Sequence, residues 1–424
     1  MARVAFAWEL GGEYGHVMSC AGLARGLEMR GHHIGFMFRE LRQLGVIPEA
    51  RNYDVYQAPR SAREGMDVSP RPAGYPDILL GCGYRNPREL TALVGGWRSL
   101  FERWKPDLIV VDFGPTALLA ARSLGLRCVT YGNGFFVPPR TAPLPAFRVD
   151  DAIDPVVLAA SDAHVLASAN AALAHFGAPP LGRLADLFET AEDFLCTLPE
   201  LDHYGGREPS GYYGPRVRFD RGADVTWPQG GGKRIFVYVK REMVQLEALL
   251  GLIASSPHRI VSYIPELDAT RRARIVGRNH VYSDRPLRLD TFLKGCDMLV
   301  THGGEIAAGC LTYGIPALAF PTHYEQYITA RRLQQLGTGF WCAPHATADD
   351  VARGWSQVLE NPVYAASARA FAARYKSFSP AEQRRRIIAR IEALLSKGGA
   401  ILLSLIHISE PTRLRRISYA VFCL

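Results

Sequence analysis

Two apolar runs, Arg3–Trp8 and Arg234–Val239, each lead through a turn into a segment whose apolar residues recur at helical spacing. A strand covered on both faces reads as such an unbroken run, and repeated strand–helix alternation builds a parallel sheet with helices on both sides. After the first run the spacing predicts a helix over Val17–Arg30, stopped by Gly31, then strands at His33–Phe38 and Tyr53–Gln57. A strand at Asp107–Val111, a helix over Thr116–Gly125 and a strand at Arg127–Tyr131 continue the rhythm. After the second run come a helix over Met243–Ser255 and strands at Arg259–Ile264, Met298–Val300 and Pro316–Pro321. A chain of 424 residues is too long for one ordinary core. Two α/β domains are therefore expected, residues 1–205 and 233–402, the second ending in a charged amphipathic helix, Pro380–Leu395. Between them lies a Gly-, Pro- and Tyr-rich stretch, of which residues 206–232 read as the linker.

Composition removes several classes of protein. With 48% hydrophobic and 21% charged residues the chain is of ordinary globular make-up. No apolar run reaches the roughly 18–20 residues that span a bilayer, and Arg3–Trp8 leads straight into a polar Gly-rich loop instead of a leader cleavage site. A cytoplasmic location without an integral membrane segment is the expectation. Eight cysteines form no Cys-x-x-Cys pair and no His/Cys ligand spacing, so no metal is expected, and Cys20, Cys128 and Cys296 read as reduced core thiols. The formal charge of +8 is dispersed, and Arg384-Arg385-Arg386 reads as a helix face, so nucleic acid is not an expected partner. Residues 403–424 follow no turn logic and resemble the conceptual translation of a sequencing adapter, appended to authentic sequence that ends near Leu402. Without the three arginines and one glutamate of that tail the formal charge is +6.

Two loops carry the chemistry. In the second half, strand Met298–Val300 runs into Thr301-His302-Gly303-Gly304, where a helix opens, and Pro316–Pro321 delivers His323-Tyr324-Glu325-Gln326 to the start of another. Glycines admit a ligand to the backbone, and a helix N-terminus offers unpaired N–H groups to an anion, a way to hold a diphosphate without a metal. In the first half, Gly11-Gly12-Glu13-Tyr14-Gly15-His16 follows the first strand, and Asp112 ends a later one. Doubly wound folds bind ligands at such strand ends. Each residue also has a plainer reading: Gly303-Gly304 as a tight turn, Glu325-Gln326 as a solvated first helical turn, His16 as a loop or cap histidine, Asp112 as a helix N-cap ahead of Pro115. Tyr131, Phe135 and Phe136, with Pro138-Pro139, form either an apolar wall or loop packing. Lys240-Arg241, after the strand that opens the second half, either face an anion or are solvated.

The segment Asp297–Gly337 resembles the donor-sugar signature of the UDP-glycosyltransferase family, whose glycosyltransferase-B fold is two facing Rossmann-like domains. The loop ending in His16 resembles that family's glycine-rich loop, and equally that of the lipid-linked N-acetylglucosamine transferases of cell-wall synthesis. The resemblance implies that His302, Gly303 and Gly304 hold the donor diphosphate, that Glu325 and Gln326 bind sugar hydroxyls, and that Lys240 and Arg241 neutralise the leaving group. It implies His16 as the base that takes the acceptor proton and Asp112 as the carboxylate that fixes its tautomer. Tyr131, Phe135 and Phe136 would line the acceptor side, and the irregular stretch Ala58–Pro87 would border it. The implied function is inverting, metal-independent hexosyl transfer from a nucleotide-diphosphate sugar to a hydroxyl of a small-molecule or lipid acceptor. UDP-sugar is the default donor and a co-substrate; no cofactor is implied. A monomer or weak oligomer, with peripheral membrane contact left open, is expected. A nucleotide-sugar 2-epimerase and a nucleotide-sugar-binding protein without turnover are the alternatives on the same fold. The chain departs from the signature at Ala307 and Cys310, where a small hydroxyl residue and a ribose-binding glutamate are usual, and at Leu287, where a glutamine is usual. The nucleoside grip is expected to differ accordingly.

Overall fold

The computed structural model describes residues 1–12, 14–61, 72–147, 153–205, 207, 211–217, 220–290 and 292–396. The adapter-like stretch 403–424 lies outside them, as do Glu13 and part of the Ala58–Pro87 stretch.

Two six-stranded sheets form the frame. The first contains β1 (Arg3–Trp8), β2 (His33–Phe38), β3 (Asp54–Gln57), β4 (Leu108–Asp112), β5 (Cys128–Gly132) and β6 (Glu192–Leu195), in the order β3-β2-β1-β4-β5-β6. The second contains β7 (Arg234–Tyr238), β8 (Arg259–Tyr263), β9 (His280–Ser283), β10 (Met298–Thr301), β11 (Ala317–Ala319) and β12 (Gly339–Trp341), in the order β12-β11-β10-β7-β8-β9. All pairings between these strands are parallel. In each sheet the order reverses once, between β1 and β4 and between β7 and β10, and the crevice at such a reversal is where open α/β sheets bind ligands. Register places Trp8 beside Asp112 and Tyr238 beside Thr301, so the loops after all four strands leave their sheets level with one another.

Strand alternation explains why the opening runs are apolar throughout. In β1, Val4, Phe6 and Trp8 enter one core layer and Ala5 and Ala7 the other. In β7, Ile235 and Val237 enter one layer and Phe236 the other. The strands β6, β9 and β12, three or four residues each at or near the sheet edges, have no such apolar run, which is why the sequence did not announce them.

Two helices need comment. Pro155–His175 has 21 residues and a mean hydropathy of 1.4, long and apolar enough to cross a bilayer, contrary to the expectation that no segment is. Its Val165, Ala169, Ala172 and Leu173 are buried in the first domain's core, and its Asp162 accepts a hydrogen bond from the Leu144 amide at 2.9 Å. The C-terminal helix Pro380–Ser396 returns to the first domain. Its Ile387, Ile388, Ile391 and Leu394 join the layer that holds Val17, Leu23 and Leu27 of the helix Tyr14–Glu28. Gln383 Nε2 donates to the Tyr213 and Pro215 carbonyls at 3.1 and 3.2 Å, and Arg390 pairs with Glu192 at 2.7 Å. Ile391 is fully buried. Ile391→Ala is therefore expected to cost about 2–5 kcal/mol and to lower the melting temperature, read by differential scanning calorimetry. An unchanged melting temperature would show that the brace contributes nothing.

Candidate active site

The first domain supplies a histidine–carboxylate pair. After β1 the chain turns through Gly11, at φ +77°, and enters the helix Tyr14–Glu28 with His16 in its first turn. A Cβ on Gly11 would lie 2.8 Å from His16 Nε2, so only glycine lets the loop pass this close over the imidazole. His16 Nδ1 lies 2.9 Å from Asp112 Oδ2, with the carboxylate fully buried and the imidazole nearly so. A carboxylate on Nδ1 places the proton there and leaves Nε2 with the lone pair. The ring stacks on Trp8 at 5.1 Å and 17° and meets Phe136 at 5.1 Å. The Cys20 thiol, held protonated by burial and by Asp112, donates to the same Oδ2 at 3.7 Å.

Asp112 has a second partner that sequence reasoning missed. Arg216, from the linker, brings Nη1 to 3.0 Å from Oδ1, an ion pair outside hydrogen-bond geometry. The same nitrogen donates to the Tyr131 carbonyl at 2.9 Å, and the guanidinium lies over the rings of Tyr131 and Phe136. Its Nε donates to Glu305 Oε1 at 2.9 Å, a residue of the second domain. Burial would raise the Asp112 carboxyl, but Arg216 and His16 outweigh it and hold the group below the ordinary carboxylate range. Burial raises the Glu305 carboxyl, against the opposing pull of Arg216. Arg216 belongs to no motif. Glu305 directly follows Gly303-Gly304 at the first helical position, where an acid is commonplace, so its inward turn gave no signal.

The second domain brings its own loops to the same crevice. Beyond β10, Gly303 at φ +90° and Gly304 turn the chain into the short helix Glu305–Leu311. A Cβ on Gly303 would meet the Gln326 carbonyl at 3.1 Å, which makes that glycine a packing requirement while Gly304 lines the cleft. His302 is buried edge-on to Tyr238 at 5.1 Å. Burial first, then Lys240 and His323, push its pKa down to about 3, so the imidazole is neutral. Gln326 Oε1 accepts from the Thr322 amide and hydroxyl at 3.0 and 2.9 Å. Glu325 Oε1 accepts from Asn133 Nδ2 of the first domain at 3.0 Å.

One cavity of about 390 Å³ joins these parts, lined by His16, Phe113, Phe135, Phe136 and Arg216 on one side and His302, Gly304, Glu305, Glu325 and Gln326 on the other. Phe236, Tyr238, Tyr263, Pro286, Leu287 and Leu289 line it too, with the two tyrosines stacked at 5.4 Å. Four sequence expectations need correction. Tyr131 faces the core beneath β5, on the same side as Val129, and does not reach the cavity. Arg241 is drawn to Glu242 at 2.8 Å and Glu266 at 3.0 Å, away from the cleft, while Lys240 stays near it with Nζ 3.4 Å from Thr322 Oγ1. Ala307 and Cys310 are packed in the core, so the cleft positions of that helix are Glu305 and Ile306. The described part of Ala58–Pro87 is partly helical, burying Tyr75, Leu79 and Tyr84, and lines none of the cavity.

Residues 248–392 match the sequence profile of a family described as erythromycin biosynthesis protein CIII-like, C-terminal domain. None of the curated proteins compared with the chain matches it. Solved structures match both domains. Spinosyn rhamnosyltransferase SpnG superposes with a TM-score of 0.63 at 16% identity, over 93% of this chain and 99% of that one. Glycosyltransferase SnogD from Streptomyces nogalater gives 0.61 at 18% identity, over 92% and 99%. Glycosyltransferase VinC, in complex with dTDP, gives 0.62 at 14% identity, over 92% and 100%. The fold is glycosyltransferase-B.

His203, beside Glu325 at 3.9 Å, is a second buried imidazole that burial pushes down to about 3. In the unfolded chain His203 and His302 bind protons near the ordinary value of 6.5. The stability they contribute is complete above that value and is lost as pH falls towards the folded one. Between about pH 7 and pH 5 each is expected to remove about 2 kcal/mol of unfolding free energy. Urea denaturation at the two pH values measures the loss, to which the depressed His280 and His323 also contribute, and His203→Gln should shrink it by about 2 kcal/mol.

Proposed function

We propose that the protein transfers a sugar from a nucleotide-diphosphate donor to a hydroxyl of a small-molecule acceptor, with inversion at the anomeric carbon. The observation that carries this is the shared cavity, in which His16 of one domain, backed by Asp112, faces His302, Gly304, Glu325 and Gln326 of the other. The acceptor oxygen attacks the anomeric carbon as its proton passes to His16 Nε2. Asp112, on Nδ1, stabilises the imidazolium that forms. The bond to the diphosphate breaks, and the charge left on it falls beside His302, the Gly304 backbone and the Lys240 ammonium. Glu325, tied to Asn133, and Gln326, tied to Thr322, face the space between and hold sugar hydroxyls. Phe113, Phe135 and Phe136 give the acceptor an apolar wall next to the base.

For the donor we infer thymidine diphosphate in place of the UDP default. The support is the fold shared with VinC and with SpnG, both of which have structures with that nucleotide. A bound nucleotide raises apparent stability in proportion to its affinity. In thermal-shift measurements thymidine diphosphate is expected to raise the melting temperature more than UDP; the reverse ranking overturns the donor assignment. His16→Ala is expected to reduce transfer by about 10²–10⁴-fold without changing nucleotide affinity. Lys240→Ala should weaken nucleotide-diphosphate binding roughly five-fold, whereas Arg241→Ala, exposed and already paired, should change it by less than about two-fold in calorimetric titration. A His16→Ala protein with undiminished transfer overturns the base assignment.

A further inference from the structure

Arg216 stands between an acid of each domain. Its Nη1 is 3.0 Å from Asp112 Oδ1, and its Nε is 2.9 Å from Glu305 Oε1. Asp112 in turn holds His16 through its other oxygen at 2.9 Å. The chain of contacts therefore runs from the second domain to the imidazole. We propose that Arg216 and Glu305 form a charge-balancing pair that sets how firmly His16 holds a proton, Glu305 acting through Arg216 and Asp112. The proposal rests on His16 being the base, and makes both residues positioning residues.

The argument is one of charge in a buried space. Once His16 takes the acceptor proton the cluster holds two cations, His16 and Arg216, and two anions, Asp112 and Glu305. That neutral total is the arrangement a site shielded from water tolerates best. Without Glu305 the protonated cluster carries an excess positive charge, and the imidazolium is disfavoured. Without Arg216 it carries an excess negative charge, and the imidazolium is favoured. Other titratable groups face this cluster, and burial holds the Tyr131 hydroxyl and the Cys196 thiol protonated beside Arg216. Cys20, on the helix of His16, is held protonated by burial and by Asp112, and His323 faces His16 across the cleft. The remaining ring contacts of His16, with Trp8, Phe113 and Phe136, are uncharged. Arg216 is anchored independently of these charges by the Tyr131 carbonyl and by the Ser19 hydroxyl on its own carbonyl at 3.1 Å. A change at Glu305 therefore alters charge without releasing the linker.

The test is an NMR titration of the His16 imidazole in the full chain, its signal identified by loss in His16→Ala. Arg216→Gln is expected to raise the His16 pKa and Glu305→Gln to lower it, each by roughly 0.5–1 unit. The double variant Arg216→Gln/Glu305→Gln should return it close to the wild-type value. A purely structural role would move stability without these opposite signs. Displacements of equal sign, or an unmoved titration in folded Glu305→Gln, overturn the proposal. If Arg216→Gln does not fold, Glu305→Gln and the double variant decide alone. An unmoved titration with His16→Ala inactive defeats the charge balance only; a His16→Ala protein that transfers sugar at the wild-type rate defeats the base assignment beneath it.

Discussion

A guanidinium that is almost wholly buried has to be compensated where it lies, because an unpaired charge in such a place destabilises the fold by several kcal/mol. Arg216 meets that demand with Asp112 from the first sheet, Glu305 from the second domain and the faces of Tyr131 and Phe136. The Nη1 side is met by the first domain and Nε by the second. The linker is thus no passive tether: it inserts a cation into the crevice, and the two domains close on it with one acid each. The position of Asp112, and through it of His16, follows from this arrangement as much as from β4.

The other contacts across the crevice divide by distance from the chemistry. Asn133 to Glu325 at 3.0 Å and His203 to Thr329 at 3.3 Å tie the loops near the cavity. Farther away, the C-terminal helix lies on the first domain through Ile387 and Ile391, and Tyr375 donates to Glu200 at 2.5 Å. The outer contacts combine buried apolar side chains, which add stability, with hydrogen bonds and ion pairs. The inner contacts are polar, each satisfying a group that would otherwise be buried without a partner, and so fix geometry more than they add stability.

What the sequence disclosed follows the same division. β1, β4 and β7 were legible because strands covered on both faces must be apolar at every position. His16 and Asp112 were legible as candidates because each follows or ends such a strand, where doubly wound folds bind ligands, and because the loop resembles a known glycosyltransferase loop. Tyr131 was misplaced because it still belongs to β5: the two-residue period sends it inward with Val129, whereas Phe135 and Phe136, past the strand, turn to the cleft. Arg241 was misplaced because its partners are an adjacent glutamate and one 25 residues on, a capture that adjacency to Lys240 conceals. Arg216 was invisible altogether, since the groups that need it lie 104 residues before and 89 residues after it.

The surroundings of His16 carry one further constraint. Phe113, next to Asp112, sits at φ +48°, a left-handed conformation that costs a side-chain-bearing residue about 1–2 kcal/mol. The Leu10 amide donating to its carbonyl at 2.9 Å helps to hold it there. The turn that results lays the phenyl ring against Phe136 at 4.5 Å, so that it borders the cavity within ring-stacking reach of His16. Aromatic walls on three sides keep the imidazole desolvated, which strengthens every charge in the cluster behind it. The strain at Phe113 and the balance of charge at Arg216 are therefore two halves of one requirement: a histidine dry enough for its neighbours' charges to matter, and a neighbourhood neutral enough to let it take a proton.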